Sequence, residues 1–166
     1  WTVLHVPYQQ PDPFVSVIEL SVEGSGVSVD STLAVDPETG IKDLSVKFAV
    51  AESCSIYKSS WMEKFGEWKH VYCAGHLNQG GKLTWTVAVN KPGVYHLDIK
   101  ARGKGCVVWK AETDEGRAIQ NQQGVSDIFC DRQIGWISFE KAGTHTITVN
   151  QLEGGDVEVS SITLVR

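Results

Sequence analysis

Trp85-Thr-Val-Ala-Val-Asn-Lys-Pro-Gly-Val-Tyr-His-Leu-Asp-Ile-Lys-Ala101 decides the fold class of this 166-residue chain. Apolar side chains alternate on both sides of Asn90-Lys91-Pro92-Gly93: Trp85, Val87 and Val89 before it, Tyr95, Leu97, Ile99 and Ala101 after it. A period of two turns one face of each strand towards a core and the other towards water. Proline fixes φ and glycine frees it, so Pro92-Gly93 supplies a turn joining two antiparallel strands into a hairpin.

The same signature recurs outward from this stretch. Ile18, Leu20 and Val22 alternate with Glu19, Ser21 and Glu23, and Gly24-Ser25-Gly26 ends that run. Leu33 and Val35 suggest a short strand before a turn at Asp36-Pro37-Glu38-Thr39-Gly40, and Leu44, Val46, Phe48 and Val50 predict a half-buried strand. A second hairpin is predicted from Cys106–Thr113 to Arg117–Gln122, and a third from Ile134–Glu140 to Thr144–Asn150. Val157–Val165 closes the chain, with Ser160-Ser161 shifting the parity as a bulge does. Trp61, Phe65 and Trp68 have helical spacing, but Gly66 interrupts it. An ordered loop or single helical turn leading into a strand near 67–73 is the reading there. Closely spaced turn signals without a long helix predict an all-β chain, an antiparallel β-sandwich of jelly-roll or galactose-binding-like kind. Residues 1–24 read as junction strands from a preceding domain packed on the sandwich, and 25–166 as the sandwich itself.

A composition of 42% hydrophobic and 21% charged residues is that of a globular domain. Net charge of −5 with no basic stripe argues against nucleic acid as a partner. No apolar run approaches the roughly 18–20 residues of a membrane-spanning helix, which argues against a membrane. The chain begins at Trp1 with neither methionine nor a signal-peptide pattern, and so reads as part of a longer protein. Cys54, Cys73, Cys106 and Cys130 form no Cys-x-x-Cys pair, which removes a zinc ribbon or thioredoxin-like motif. Their three disulfide connectivities stay open, and most of them read as small buried hydrophobes inside strands.

Hydrolytic catalysis needs a nucleophile with its base, or two carboxylates held close. Glu112, Asp114 and Glu115 cluster at a hairpin tip and read as a solvated turn. The five histidines (His5, His70, His76, His96 and His145) show no metalloprotease spacing and no nucleophile-elbow partner. His145 shares parity with Ile147 and Val149, as a hydrogen-bonded core histidine would, and His96 falls on the solvent face with Asp98 and Lys100. No catalytic residue is assigned.

The tryptophans point to binding, because sugar rings present apolar C–H faces that stack on exposed indoles. Trp85 and Trp109 share parity with core residues. Trp136 does not: Ile137 and Phe139 claim the inner face and leave it outside with Ser138 and Glu140. An outward tryptophan serves a ligand platform, a domain contact or a covered outer face. Trp61 and Trp68 lie in the irregular segment and are candidates with it. Asn121, Gln122 and Gln123, in a long amide-rich loop followed by Asp127, Asp131 and Arg132, offer the planar polar groups that sugar hydroxyls need. A solvated connection is the plainer reading of that loop. Asp127 and Asp131 have the hard oxygens of a structural calcium site, but no motif supports one, and no other cofactor is expected.

Trp61-Met-Glu-Lys-Phe-Gly-Glu-Trp68-Lys-His, Lys91-Pro-Gly-Val-Tyr95, Val108-Trp-Lys-Ala-Glu-Thr-Asp114, Ile119-Gln-Asn-Gln-Gln123 and Ala142-Gly-Thr-His-Thr-Ile-Thr-Val149 span most of the chain. Together they resemble the C-terminal β-sandwich region of bacterial α-L-fucosidases, retaining glycoside hydrolases with a (β/α)-barrel catalytic domain. The resemblance implies a non-catalytic accessory domain, like a carbohydrate-binding module, whose partners are the barrel of the same parent chain and fucosylated or other glycans. It implies a periplasmic, secreted or cell-surface parent. The alternative is a structural domain that stabilises the barrel without binding glycan. The family's nucleophile and acid/base belong to the barrel, which no segment here matches.

Overall fold

The computed structural model describes residues 33–34 and 42–166. The junction strands expected over 1–24 and the turn at 36–40 lie outside the described residues. Twelve strands follow one another there: β1 (Leu33–Ala34), β2 (Lys42–Ser45), β3 (Val50–Glu52), β4 (Ser55–Met62), β5 (Trp68–Gly75), β6 (Lys82–Val89), β7 (Gly93–Gly103), β8 (Gly105–Thr113), β9 (Ala118–Val125), β10 (Cys130–Phe139), β11 (Gly143–Gly154) and β12 (Val157–Val165). The first sheet runs β1-β6-β11-β8-β9 with β3 also on β6; the second runs β10-β7-β12-β5-β4 with β2 also on β12. All pairs are antiparallel except β1 with β6. The predicted antiparallel β-sandwich is the observed fold.

Its core is the set of side chains that the period of two selected. Trp85, Val87 and Val89 of β6 share one apolar cluster with Tyr95, Leu97, Ile99 and Ala101 of β7. The two strands nevertheless do not pair. β6 bonds to β11 and β7 to β10 and β12, so the Pro92-Gly93 turn crosses from one sheet to the other. Ile134–Glu140 and Thr144–Asn150 are split between the sheets in the same way. Alternation reports which face of a strand is apolar but not which strand lies beside it, and two strongly apolar faces bury each other best across the core. The Cys106–Gln122 hairpin does form, with Glu112 opposite Ala118 and Gly105 opposite Val125. His145 is the buried, hydrogen-bonded histidine expected, with Asp114 Oδ1 3.2 Å from Nδ1 and the Lys141 carbonyl 2.9 Å from Nε2.

Three further expectations are corrected. The segment around Trp61 and Trp68 is a hairpin: the single helical turn is a 3-10 turn over Lys64–Gly66, and the strand expected near 67–73 is β5. Trp61 itself, however, lies in a strand, β4, where it faces Lys69 while Met62 faces Trp68. Both faces of its outer half are exposed, so no buried side imposed an alternation on the sequence. The strand predicted over Leu44–Val50 breaks at Ser45, whose side chain accepts from the Lys47 amide at 3.3 Å and caps a 3-10 turn over Val46–Phe48. Leu44 and Val46 are buried, whereas Phe48 and Val50 are exposed. The cysteines are four free thiols, of which Cys73 alone is fully buried; Cys106 is exposed.

The amide-rich run is no loop either. Gln120–Gln123 lies within β9, at the edge of the first sheet and across from β10, the edge of the second. In the β10–β7 ladder Gln133 faces Asp98 and Gly135 faces Leu97, so Ile134 is the extra residue of a bulge. The Gln133 and Ile134 carbonyls lie at this bulge, on the edge strand of the sheet. Asn121 Nδ2 donates to both, at 3.3 and 3.0 Å, and Gln123 Nε2 donates to the Gln133 carbonyl. Gly135 takes φ of +153°, and a Cβ there would lie 3.2 Å from Ile119 Cδ1. Asn121→Ala removes the donor and strands the part-buried Ile134 carbonyl, while the Gln133 carbonyl keeps Gln123. We expect a loss of about 1–3 kcal/mol with an unchanged denaturant slope, measured by equilibrium unfolding in urea.

Candidate functional site

The functional reading turns on which side chains share the outer face of the second sheet. On β7 the inward set is Tyr95, Leu97, Ile99 and Ala101, which leaves His96, Asp98, Lys100 and Arg102 outside. Their neighbours on β10 are Trp136 beside His96, Gln133 beside Asp98 and Asp131 beside Lys100. On β12 the neighbours are Val165, Thr163, Ser161 and Glu158, and β2 adds Asp43 beside Thr163 and Ser45 beside Ser161. Odd positions face out on β10 before the bulge and even positions after it. Without the bulge, Trp136 and Asp131 would point to opposite sides. The Ser160-Ser161 irregularity foreseen from the sequence makes the same parity change on β12.

At that second bulge the face dips. A cleft of about 300 Å³ is lined by Asp43, Ser45, Trp61, Val71, Lys100, Phe129, Ser160 and Ser161. The two serines are buried and small, and so form its floor. Trp61 and Val71 from the β4–β5 arm rise on one side of β12, and Phe129, just before β10, rises on the other. Two aromatic walls flank a floor of hydroxyls, with a carboxylate and an ammonium at hand. Trp61 keeps 45% of its surface exposed. This is the mixture of apolar faces and few polar groups that small-ligand sites use.

Beside the cleft a charged brace joins three strands. Arg102 Nε and Tyr57 Oη donate to opposite oxygens of Glu158, and the Arg102 guanidinium lies 4.7 Å from the Phe129 ring centre. Burial alone would raise the Glu158 carboxyl, but the hydrogen bonds from Arg102 and Tyr57 outweigh it and hold it below the ordinary carboxylate range. Burial first, and then the bond to Glu158, push the Tyr57 phenol upward. The pinned carboxylate holds the Arg102 guanidinium over the Phe129 ring. A larger depression of about 440 Å³, lined by Arg102, Gly103, Lys104, Asp127, Gly155, Asp156, Val157 and Glu158, has no aromatic wall. Among the described residues no three His, Cys, Asp or Glu side chains gather as metal ligands.

The sequence-derived candidates are thus dispersed. Trp61 lies in the cleft, and Asp131, 3.9 Å from Lys100, lies at its margin. Trp136 is 59% exposed on the same face, its ring centre 5.0 Å from that of His96. Trp68 is on the opposite side of the arm from Trp61, because directly paired residues share a side and Trp68 pairs with Met62. Asn121 and Gln123 are spent on the β10 carbonyls, and Gln122 faces out from the first sheet beside Val108. Arg132 pairs with Ile99 and takes the side opposite Asp131. Phe129, Asp43, Ser45 and Lys100 were missed. The Ser160-Ser161 parity break was the one signal in the sequence for the place where the sheet dips.

No family model matches the sequence, and no curated protein does. Solved structures do match in shape. A GH26-CBM35 β-(1,4)-mannanase from Podospora anserina aligns over 76% of this chain and 28% of its own, with 18% identity and a TM-score of 0.61. The module CsCBM6-3 from Clostridium stercorarium, solved with cellobiose, aligns over 83% of this chain and 99% of its own, with 11% identity and a TM-score of 0.57. The fold is the jelly-roll β-sandwich of carbohydrate-binding modules. The insecticidal crystal protein Cry2Aa also aligns, over 75% of this chain and 21% of its own, with 17% identity and a TM-score of 0.55. The fold therefore does not carry the function by itself, and the site must.

The Glu158 brace makes a testable statement about acid stability. A carboxyl whose folded value is lowered contributes its full stabilisation above the ordinary carboxylate range, and loses it as pH falls through the lowered value. Glu158→Gln is expected to lower the urea midpoint at neutral pH and to flatten the acid limb of stability against pH. An acid limb identical to that of the unmodified chain would show that Glu158 does not govern it.

Proposed function

We propose that this chain is a non-catalytic carbohydrate-binding accessory domain and that the Trp61–Phe129 cleft receives the sugar. The observation that carries the reading is the pairing of two aromatic walls with a hydroxyl floor at a bulge. A pyranose offers apolar C–H faces to the first and hydroxyls to the second. The likeness to modules of glycoside hydrolases supports it at the level of fold. The parent is proposed as an α-L-fucosidase-like glycoside hydrolase of the periplasm, cell surface or exterior, with its catalytic (β/α)-barrel in the same chain. The sequence blocks quoted above are the support for that part. The coding sequence upstream of Trp1 tests it: a barrel with paired carboxylates at strand ends is expected.

A second reading is favoured by one specific feature. Met62, Phe65 and Trp68 crowd the tip of the β4–β5 arm, fully or largely exposed. Such a tip suits a contact with a neighbouring domain, and the chain then has a structural role on the barrel. Two variants separate the readings, because Trp61 and Trp68 lie on opposite sides of the arm. Trp61→Ala is expected to weaken glycan binding about tenfold or more in calorimetric titration, corresponding to the loss of one stacking partner. Trp68→Ala is expected to leave that binding within about twofold. The reverse order moves the glycan from the cleft to the arm tip, and no binding of any glycan at millimolar concentration favours the structural role.

A further inference from the structure

We infer that the cleft is one end of a longer groove that holds an extended, uncharged oligosaccharide chain rather than a single terminal sugar; this rests on the carbohydrate-binding reading above. Trp136 stands on the same outer face, in the cross-strand row of His96 and Val165. The cleft surrounds the row of Lys100 and Ser161. Four residues of β7 separate the two rows, about 13 Å at the rise of a strand. One pyranose ring does not bridge that span, whereas a short oligosaccharide does.

The row between them is polar. Gln133, Asp98 and Thr163 lie side by side across β10, β7 and β12, with Asp43 next in line on β2. The order along the face is therefore aromatic, hydrogen-bonding, aromatic, which is the order that successive sugar rings require. Trp136 is a fixed platform: its ring meets that of His96 at 46°, while His96 Nε2 lies 3.6 Å from Asp98 Oδ1. An exposed tryptophan braced by a neighbouring ring loses little freedom when a sugar ring stacks on it.

Charge selects the class of chain. The fixed cations along the groove already face carboxylates: Lys100 faces Asp131 and Arg102 faces Glu158. Asp43 has no cationic partner among the described residues. A uronic-acid or sulfated chain would find no unmatched cation here and would meet Asp43 and Asp98 in the middle of the track. Neutral hydroxyls meet acceptors instead.

The test is calorimetric titration of the unmodified chain with fucose, with β-1,4-gluco-, β-1,4-manno- and β-1,3-gluco-oligosaccharides from disaccharide to hexasaccharide, and with oligogalacturonates of matched length. At least one neutral series should gain about tenfold or more in affinity between disaccharide and tetrasaccharide and then level off. Trp136→Ala should abolish that gain and leave disaccharide affinity within about twofold, while Trp61→Ala should weaken every length. Binding independent of length, a hexasaccharide affinity unmoved by Trp136→Ala, or preference for oligogalacturonate overturns the groove but leaves carbohydrate binding standing. Failure of all these probes to bind overturns both.

Discussion

The core strands of the described sandwich must keep one apolar face between two sheets, and a period of two leaves no tolerance in meeting that demand. One residue too many, and everything downstream points the wrong way. The second sheet uses that rigidity twice. At Ile134 on β10 and at Ser160 on β12, an extra residue exchanges odd for even, so that core and surface swap registers without disturbing β7 between them. The outer face carrying Trp136, Asp131, Ser161 and Glu158 exists because of those two exchanges.

Each bulge has a local cost that neighbouring residues meet. On β10 the Gln133 and Ile134 carbonyls are taken by amides from the facing edge strand, which also closes the open side of the sandwich. On β12 the Ser160 hydroxyl lies 3.4 Å from the Lys100 carbonyl, and small side chains there leave the sheet surface low enough to form a cleft. Fold stability and site geometry are thus not separable at these positions. The residues that fix the register also determine where a ligand has room.

Fold class was legible because burial writes itself into sequence: Trp85, Val87, Val89, Tyr95, Leu97 and Ile99 alternate without interruption and are all buried. Strand partners were not legible, since the same alternation serves a hairpin or a crossing between sheets. The β4–β5 arm was hidden for the opposite reason, having no buried side over its outer half. For the site, the outward position of Trp136 followed from Ile137 and Phe139. Phe129 and Asp43 could not be found that way, because what brings them near Trp61 is strand order across the sheet. Asn121 and Gln123 looked like sugar ligands because planar amides suit sugar hydroxyls and bulge carbonyls equally well.

The turns that carry the chain from β6 to β7 and from β10 to β11 pass between sheets instead of closing hairpins. A hairpin forms as soon as its two strands meet, but a strand placed across the core gains little until the opposite sheet is also present. Most of the stabilising contacts here therefore join residues far apart along the chain, so loop entropy is spent before packing repays it. Such a topology folds slowly, and neither sheet has much reason to persist without the other. Losing one sheet from a cut or truncated chain would then expose both inner faces together, so the domain is expected to be present whole or not at all.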